Sequence, residues 1–200
     1  MAERAEYRSA IRSRKLIREA FMSLLTEKDR NKITVTDIVN RADINRATFY
    51  AHYPDVKGLL EEIENEIIDK MKEVLGQFEF DSFFSNPTPI LLQVSQYLES
   101  NEEYFRVLIL ANGADRFMEK LADVFMKYMC EDVQIPKKVR NSQQFKLRSC
   151  YFAGGVICMY RRWFLGQLDC TLNDIAVEVG KMIEAESKSM RLGINSIPTE

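Results

Sequence analysis

Apolar residues recur at three- and four-residue intervals along almost the whole chain, the spacing that lines one face of an α-helix. Alternating Val/Ile/Thr runs joined by Asn-Gly or Asp-Gly, the mark of hairpins, are absent apart from the short Ile33-Thr34-Val35-Thr36. The pattern predicts an all-α fold. A first helix is expected from about Ser9 to Thr26, with Ile17, Ala20, Phe21, Leu24 and Leu25 on one stripe, until Lys28-Asp29-Arg30-Asn31 breaks the period. Thr34 opens a second helix: Asp37, three residues on, completes a capping pattern, and Ile38, Val39 and Ala42 supply the apolar side. After the turn Asp43-Ile44-Asn45, Asn45 caps a very short third helix, Arg46 to Tyr53, which Pro54 stops. Asp55 caps a long fourth helix carrying Leu59, Leu60, Ile63, Ile67, Met71 and Leu75. Residues 79–89, with Asp81, Ser82, Asn86, Pro87 and Pro89, interrupt the period and predict a loop. Further helices are expected near 89–100, 102–112, 115–133, 143–166 and 171–188, with a frayed tail beyond.

The expected organisation is a three-helix N-terminal module, residues 1–54, followed by a helical bundle over 55–200. A content of 46% hydrophobic and 29% charged residues suits a folded chain and not a disordered one. The net charge of -2 conceals an asymmetry: residues 1–50 carry 11 Lys+Arg against 7 Asp+Glu, so a basic head precedes an acidic body. That balance suits a polyanion-binding module, and solvated helix faces produce it equally. Cys130, Cys150, Cys158 and Cys170 show no CxxC spacing, and His52 is the single histidine, so the usual zinc sets cannot be assembled. No metal or cofactor is expected, and the thiols are read as reduced, buried core residues. No apolar run approaches the ~18 residues of a membrane span, and Met1 to Arg18 is charged throughout, unlike a signal peptide. A cytoplasmic protein is expected.

A helix as short as the third is not stable alone and needs a tertiary reason to exist. In a helix-turn-helix, the preceding helix supports such an element through Ile38, Ala42, Ile44 and Phe49, and the opposite side lies in a major groove, kept slim here by Ala47 and Ala51. Arg46 can donate two hydrogen bonds to guanine O6 and N7 or clamp a phosphate, and Thr48 can meet a base edge or a thymine methyl. Tyr50, His52 and the hydroxyls of Thr34 and Thr36 suit phosphate oxygens, and Asn45 stands with them at the helix start. The alternative makes Tyr50 and Tyr53 core aromatics and Arg46 a solvated charge. Arg4, Arg8, Arg12, Arg14, Lys15 and Arg18 either reach the DNA backbone or minor groove or are solvated. Glu61, Glu62, Glu64 and Glu66 are read as a solvent face turned away from DNA.

The segments Ile33-Thr34-Val35-Thr36-Asp37-Ile38, Ala42-Asp43-Ile44-Asn45-Arg46-Ala47-Thr48-Phe49-Tyr50, His52-Tyr53 and Gly58-Leu59-Leu60 resemble the DNA-binding signature of the TetR family. The resemblance implies an operator-binding repressor with Arg46, Thr48, Tyr50 and His52 on DNA and Phe49 and Tyr53 in the core. Two positions depart from the family pattern. Asp43 stands where the family commonly has Gly, and Val56 where it usually has a phosphate-binding Lys, for which Lys57 is the nearest substitute.

The body adds two expectations. The segment Phe145 to Phe164 is apolar on more than one face: Leu147, Cys150, Gly154 and Ile157 form one stripe, Ala153, Val156, Tyr160 and Trp163 another. It is therefore expected to be covered twice, once by the body and once by a second subunit, with Ile175, Val179, Met182 and Ile183 of the last helix completing the seam. This fits the two-helices-per-subunit homodimer that the resemblance implies. Phe84, Tyr97, Tyr104, Phe105, Met118, Phe125 and Tyr151 are candidates to line an apolar pocket for an unknown small-molecule effector, although most aromatics at helical spacing are simply core. The stretches Ser95-Gln96-Tyr97-Leu98, Glu103-Tyr104-Phe105-Arg106 and Tyr160-Arg161-Arg162-Trp163 resemble a TetR subgroup from Gram-positive bacteria, some of whose members answer to a protein partner. An interaction protein on the same scaffold is thus the second hypothesis. An enzyme is the third, opposed by the lack of any zinc spacing, Gly-rich phosphate loop or catalytic pair.

Overall fold

The computed structural model describes residues 2–76, 86–110, 115–131 and 137–194, and the regular elements among them are all helical. α1 (Ala2–Glu27) starts well before the expected Ser9, because the Ala, Glu and Arg that lead it are strong helix formers and nothing among them breaks the period. A 3-10 turn, Arg30–Lys32, separates it from α2 (Val35–Ala42) and α3 (Arg46–His52). α4 (Val56–Gly76) leads into the body: α5 (Thr88–Ser100), α6 (Glu102–Leu110), α7 (Asp115–Glu131), the unanticipated short α8 (Lys137–Arg140), α9 (Gln143–Phe164) and α10 (Leu172–Ile194). The expected loop at 79–89 falls mainly outside the described residues; its end does not, and Thr88 already begins α5.

The head forms because α2 and α3 lie across α1, covering Ile17, Phe21, Leu24, Ile38 and Phe49. In the body α5 packs along α10, α7 along α9, and α4 fits against α5 and α7. Gly180 eases the first of these contacts: a Cβ there would press on Thr88 Oγ1, so any other residue makes the Thr88 side chain turn away. Buried Ser95 ties three helices, donating to the Leu172 carbonyl at 3.1 Å and accepting from the Tyr160 hydroxyl at 3.1 Å. Burial pushes the Tyr160 hydroxyl above its ordinary pKa, so it stays a neutral donor. One apolar cluster runs without interruption from Ile17 in the head to Ile183 in the last helix. Among the described residues no helix is long and apolar enough to cross a membrane.

Candidate nucleic-acid interface

Thr34 caps α2 in a reciprocal box: its hydroxyl oxygen accepts from the Asp37 N–H at 3.2 Å, while its own N–H and O–H donate to the Asp37 carboxylate at 2.8 and 2.7 Å. In the free subunit the Thr34 hydroxyl hydrogen is thus engaged by Asp37. Lys28 closes on the other carboxylate oxygen at 2.8 Å. The Lys28 hydrogen bond first, and then those of Thr34, hold the Asp37 carboxyl down at about 2. Bidentate Arg41–Glu27 bonds of 2.7 and 2.6 Å, with a third from Arg41 to Ser23, fasten α2 to the end of α1.

α2 ends at Asp43 in the left-handed conformation, φ +52°, where its N–H reaches back to the Val39 carbonyl. This accounts for glycine at the equivalent place in the family pattern: a Cβ is strained there. Asp43→Gly is expected to stabilise the protein by up to about 1 kcal/mol, read as a higher urea midpoint at unchanged slope.

α3 then starts on Asn45, whose side-chain oxygen accepts from the Thr48 N–H at 2.8 Å and from the Thr48 hydroxyl at 3.0 Å. Its inner side carries Phe49, wholly buried, edge-on to Tyr50 and tilted against Tyr53. Its outer side leaves Arg46, Ala47, Tyr50 and Ala51 exposed. The Arg46 guanidinium donates to Thr36 Oγ1 at 2.7 Å, which brings those two expected contacts together at the α2–α3 junction. His52 Nε2 lies 2.7 Å from Ser13 Oγ, fixing the ring to α1. Lys57, at the start of α4, is 72% exposed on its side chain and only loosely near Glu61, at 3.8 Å. Val56 beside it rests against the core.

The acidic stretch of α4 is not a solvent face. Four carboxylates spread over nearly two helical turns face different neighbours. Glu62 accepts from Arg14 at 2.8 Å and from the Tyr53 hydroxyl at 2.8 Å; Glu66 pairs with Arg18 at 2.5 Å. Glu64 is 5% exposed and holds Lys120 of α7 at 2.6 Å, and Glu61 stands 3.7 Å from Arg116. Burial, reinforced by the Glu62 bond, raises the Tyr53 hydroxyl to about 12. Arg14 and Arg18, two of the expected DNA arms, are thereby bound to α4, and Arg18 also donates to Tyr104 of α6 at 3.3 Å. Burial works against its charge, but the bonds to Glu66 and Tyr104 outweigh that and raise its pKa. Arg8 and Arg12 remain exposed. The sequence reading missed Ser13 and turned Glu62 to solvent, because His52 and Arg14, which they meet, are remote in the chain.

The body holds a small apolar cavity of about 80 Å³ between α4, α5, α6, α7 and α9. Of the pocket candidates, Phe105, Met118 and Phe125 line it. Tyr97 instead stands edge-on to Phe105, Tyr104 belongs to the α1 junction, Tyr151 is 77% exposed on the far face of α9, and Phe84 lies outside the described residues. Aliphatics such as Met71, Leu91 and Val156 complete the lining; an aromatic search could not have found them. Of the seam candidates, Gly154 and Met182 are exposed, and Ile157 is half-buried at the cavity. Ile175, Val179 and Ile183 are buried within the subunit, in the face that α10 turns to its own body, and Trp163 donates to the Cys170 carbonyl at 2.8 Å. The thiols correct the sequence reading: Cys150, Cys158 and Cys170 are exposed and not core.

Residues 17–63 match the family model described as bacterial regulatory proteins, tetR family, and residues 85–185 match a transcriptional regulator C-terminal region, over half of the chain. The chain belongs to the TetR family. The two models cover the head and the body of a bacterial regulatory protein of that family. A curated relative, the uncharacterized HTH-type transcriptional regulator YxbF of Bacillus subtilis (strain 168), is 28% identical over 118 residues; the match takes in 56% of this chain but only 29% of that protein. Among solved structures, a TetR transcriptional regulator from Streptococcus agalactiae 2603V is 23% identical with a TM-score of 0.63, covering 91% of this chain and 99% of that one. The dihydroxyacetone kinase operon activator DhaS has a TM-score of 0.58 at 19% identity, covering 88% and 96%. These likenesses establish the TetR fold from head to last helix.

Proposed function

We propose that this TetR-family regulator works as a twofold dimer that grips a palindromic operator with its two α3 helices and releases it when an effector enters the body. The observation that carries this is α3 itself: buried behind through Phe49 and Tyr53, it turns Arg46, Ala47, Tyr50 and Ala51 outward on a helix slim enough for a major groove. Arg46, held beside Thr36, reads a base or clamps a phosphate, with Thr48 next to it. Thr36, Asn45, Tyr50, His52 and Lys57 fix the register on phosphates. The seam is the uncovered face of α9, with Leu147, Tyr151 and Gly154, joined by Met182 of α10.

Release follows from the size of the cavity. Ligand pockets are typically about 300–1,000 Å³, so an effector cannot enter 80 Å³ without parting α4 from α7 and α9. α4 carries the head contacts of Glu62 and Glu66, so a shifted α4 respaces the two α3 helices. DNA must in turn weaken effector binding by the same factor. The decisive test is a fluorescence-anisotropy titration against the chain's own upstream DNA and unrelated DNA at several salt concentrations. Binding at least tenfold tighter to the first, with two subunits per site, supports the proposal; equal and salt-sensitive binding to both counts against it. Arg46→Ala is expected to cost about 1–3 kcal/mol on the specific site, whereas equal loss on every sequence makes Arg46 a phosphate contact.

A second reading replaces the small molecule with a protein partner and release with activation. An operon activator, DhaS, shares the fold. Phe125→Trp, which fills the cavity, separates the two: it abolishes a small-molecule response and leaves a partner response intact.

A further inference from the structure

The lining of the body cavity is apolar with one exception. Among the described residues that line it, Arg161 of α9 is the only charged one, set among side chains such as Leu91, Met118 and Phe125. The Tyr160 hydroxyl, the other polar group there, is already bonded to Ser95. The Arg161 Nε is enclosed and has no hydrogen-bond partner, so this donor carries its desolvation cost without a bond to offset it. The guanidinium meets Asp115, at the start of α7, through Nη2 at 3.2 Å, and that carboxylate is 86% exposed, so water screens the pair. The neighbouring cations are engaged: Arg106 donates to the Phe164 carbonyl at 2.6 Å and to Glu102 at 2.7 Å, and Arg162 donates to Gln167 at 3.3 Å.

An apolar cavity edged by one guanidinium complements an amphipathic anion. A carboxylate takes two parallel N–H bonds from one edge of a guanidinium, and the Arg161 Nε–H is a donor that Asp115 leaves unused. We propose that the effector is a carboxylic acid on an unbranched apolar chain, with its carboxylate on Arg161 and its chain between α4, α7 and α9. This rests on the cavity being the effector site, as proposed above, and names what enters it. The Arg161 side chain is 43% exposed, so the carboxylate sits at the rim and keeps part of its hydration while the apolar chain leaves water. An unbranched chain is the slimmest apolar body and parts the helices least, and the flexible thioethers of Met71 and Met118 in the lining adapt to it. A carboxylate on Arg161 displaces Asp115 and so frees the start of α7, the helix that Lys120 ties to α4.

The test is calorimetric titration of the full chain with hexanoate, octanoate and decanoate, each below its micellar concentration, and with the alcohols of the same lengths. At least one carboxylate is expected to bind saturably and at least tenfold tighter than its alcohol. Arg161→Met should lower the affinity for that carboxylate at least tenfold and leave that for the alcohol unchanged. Asp115→Asn breaks the same ion pair but keeps the cation, and should bind the carboxylate at least as tightly as the parent chain; a loss equal to that of Arg161→Met overturns the proposal. Carboxylate and alcohol bound alike, with both lost in Phe125→Trp, overturns the anion and leaves the cavity as the effector site. Binding that survives in Phe125→Trp lies outside the cavity and overturns both. No saturable binding of any of the six compounds overturns the proposal, while the operator titration above reports separately on the regulator.

Discussion

Lys120→Met is expected to destabilise the protein by about 3 kcal/mol, because it leaves the Glu64 carboxylate without the cation it faces. Glu64 is 5% exposed, and its 2.6 Å bond to Lys120 is closer than the 3.7 Å Glu61–Arg116 pair that also joins α4 to α7. Breaking a buried pair by removing one partner typically costs about 3–5 kcal/mol, and the lower end applies because 26% of the Lys120 side chain keeps contact with water. The double variant Glu64→Leu/Lys120→Met should recover most of the loss, since apolar groups of similar volume commonly replace such a pair at little cost. Urea unfolding of the four proteins of this cycle measures both effects. A single Lys120→Met loss below about 1 kcal/mol would mean that the pair acts as a solvated surface bridge.

Phe49→Ala is expected to cost about 3–5 kcal/mol, the range for truncating a fully buried phenylalanine. Its ring is the inner support of α3, a helix of 7 residues too short to be stable alone. Affinity should therefore fall on every DNA sequence alike, unlike the sequence-dependent loss at Arg46. Phe49→Leu keeps most of the volume, should cost less than about 1.5 kcal/mol, and should bind. Parallel urea melts and anisotropy titrations distinguish a displaced helix from a lost contact: binding unchanged in Phe49→Ala would remove α3 from the interface.

The elements that close local hydrogen bonds were readable in the sequence. Thr34 with Asp37, and Asn45 with Thr48, lie three residues apart, so α2 and α3 could be bounded from spacing alone. The long helices were found for the same reason, with α1 extended because no cap marks its beginning. The acidic run of α4 was misread because its partners, Arg14, Arg18 and Lys120, are 48 to 56 residues away. Charge pattern alone cannot separate a carboxylate that faces water from a buried one that faces an ammonium. α9 posed the reverse difficulty: apolar on two sides, it hid which side is core, and only the fold reveals that Ala153, Val156 and Tyr160 point inward while Leu147, Cys150 and Tyr151 point out. The last helix misled for a related reason, since one stripe of Ile175, Val179 and Ile183 suits a partner and the helix's own body equally.

The turn between α3 and α4 is stiff. Pro54 has a fixed φ, the Gly58 N–H is held by Asp55 at 2.7 Å, and a Cβ on Gly58 would stand 2.9 Å from the proline ring. In the proposed release such a joint would let α3 and α4 turn together as the two limbs of a crank. α4 is 21 residues long, an arm of about 30 Å. A sideways displacement of about 2 Å where α4 borders the cavity is a tilt of roughly four degrees over that arm. In the proposed release, the five residues from Pro54 to Gly58 are where that tilt would pass from α4 to α3.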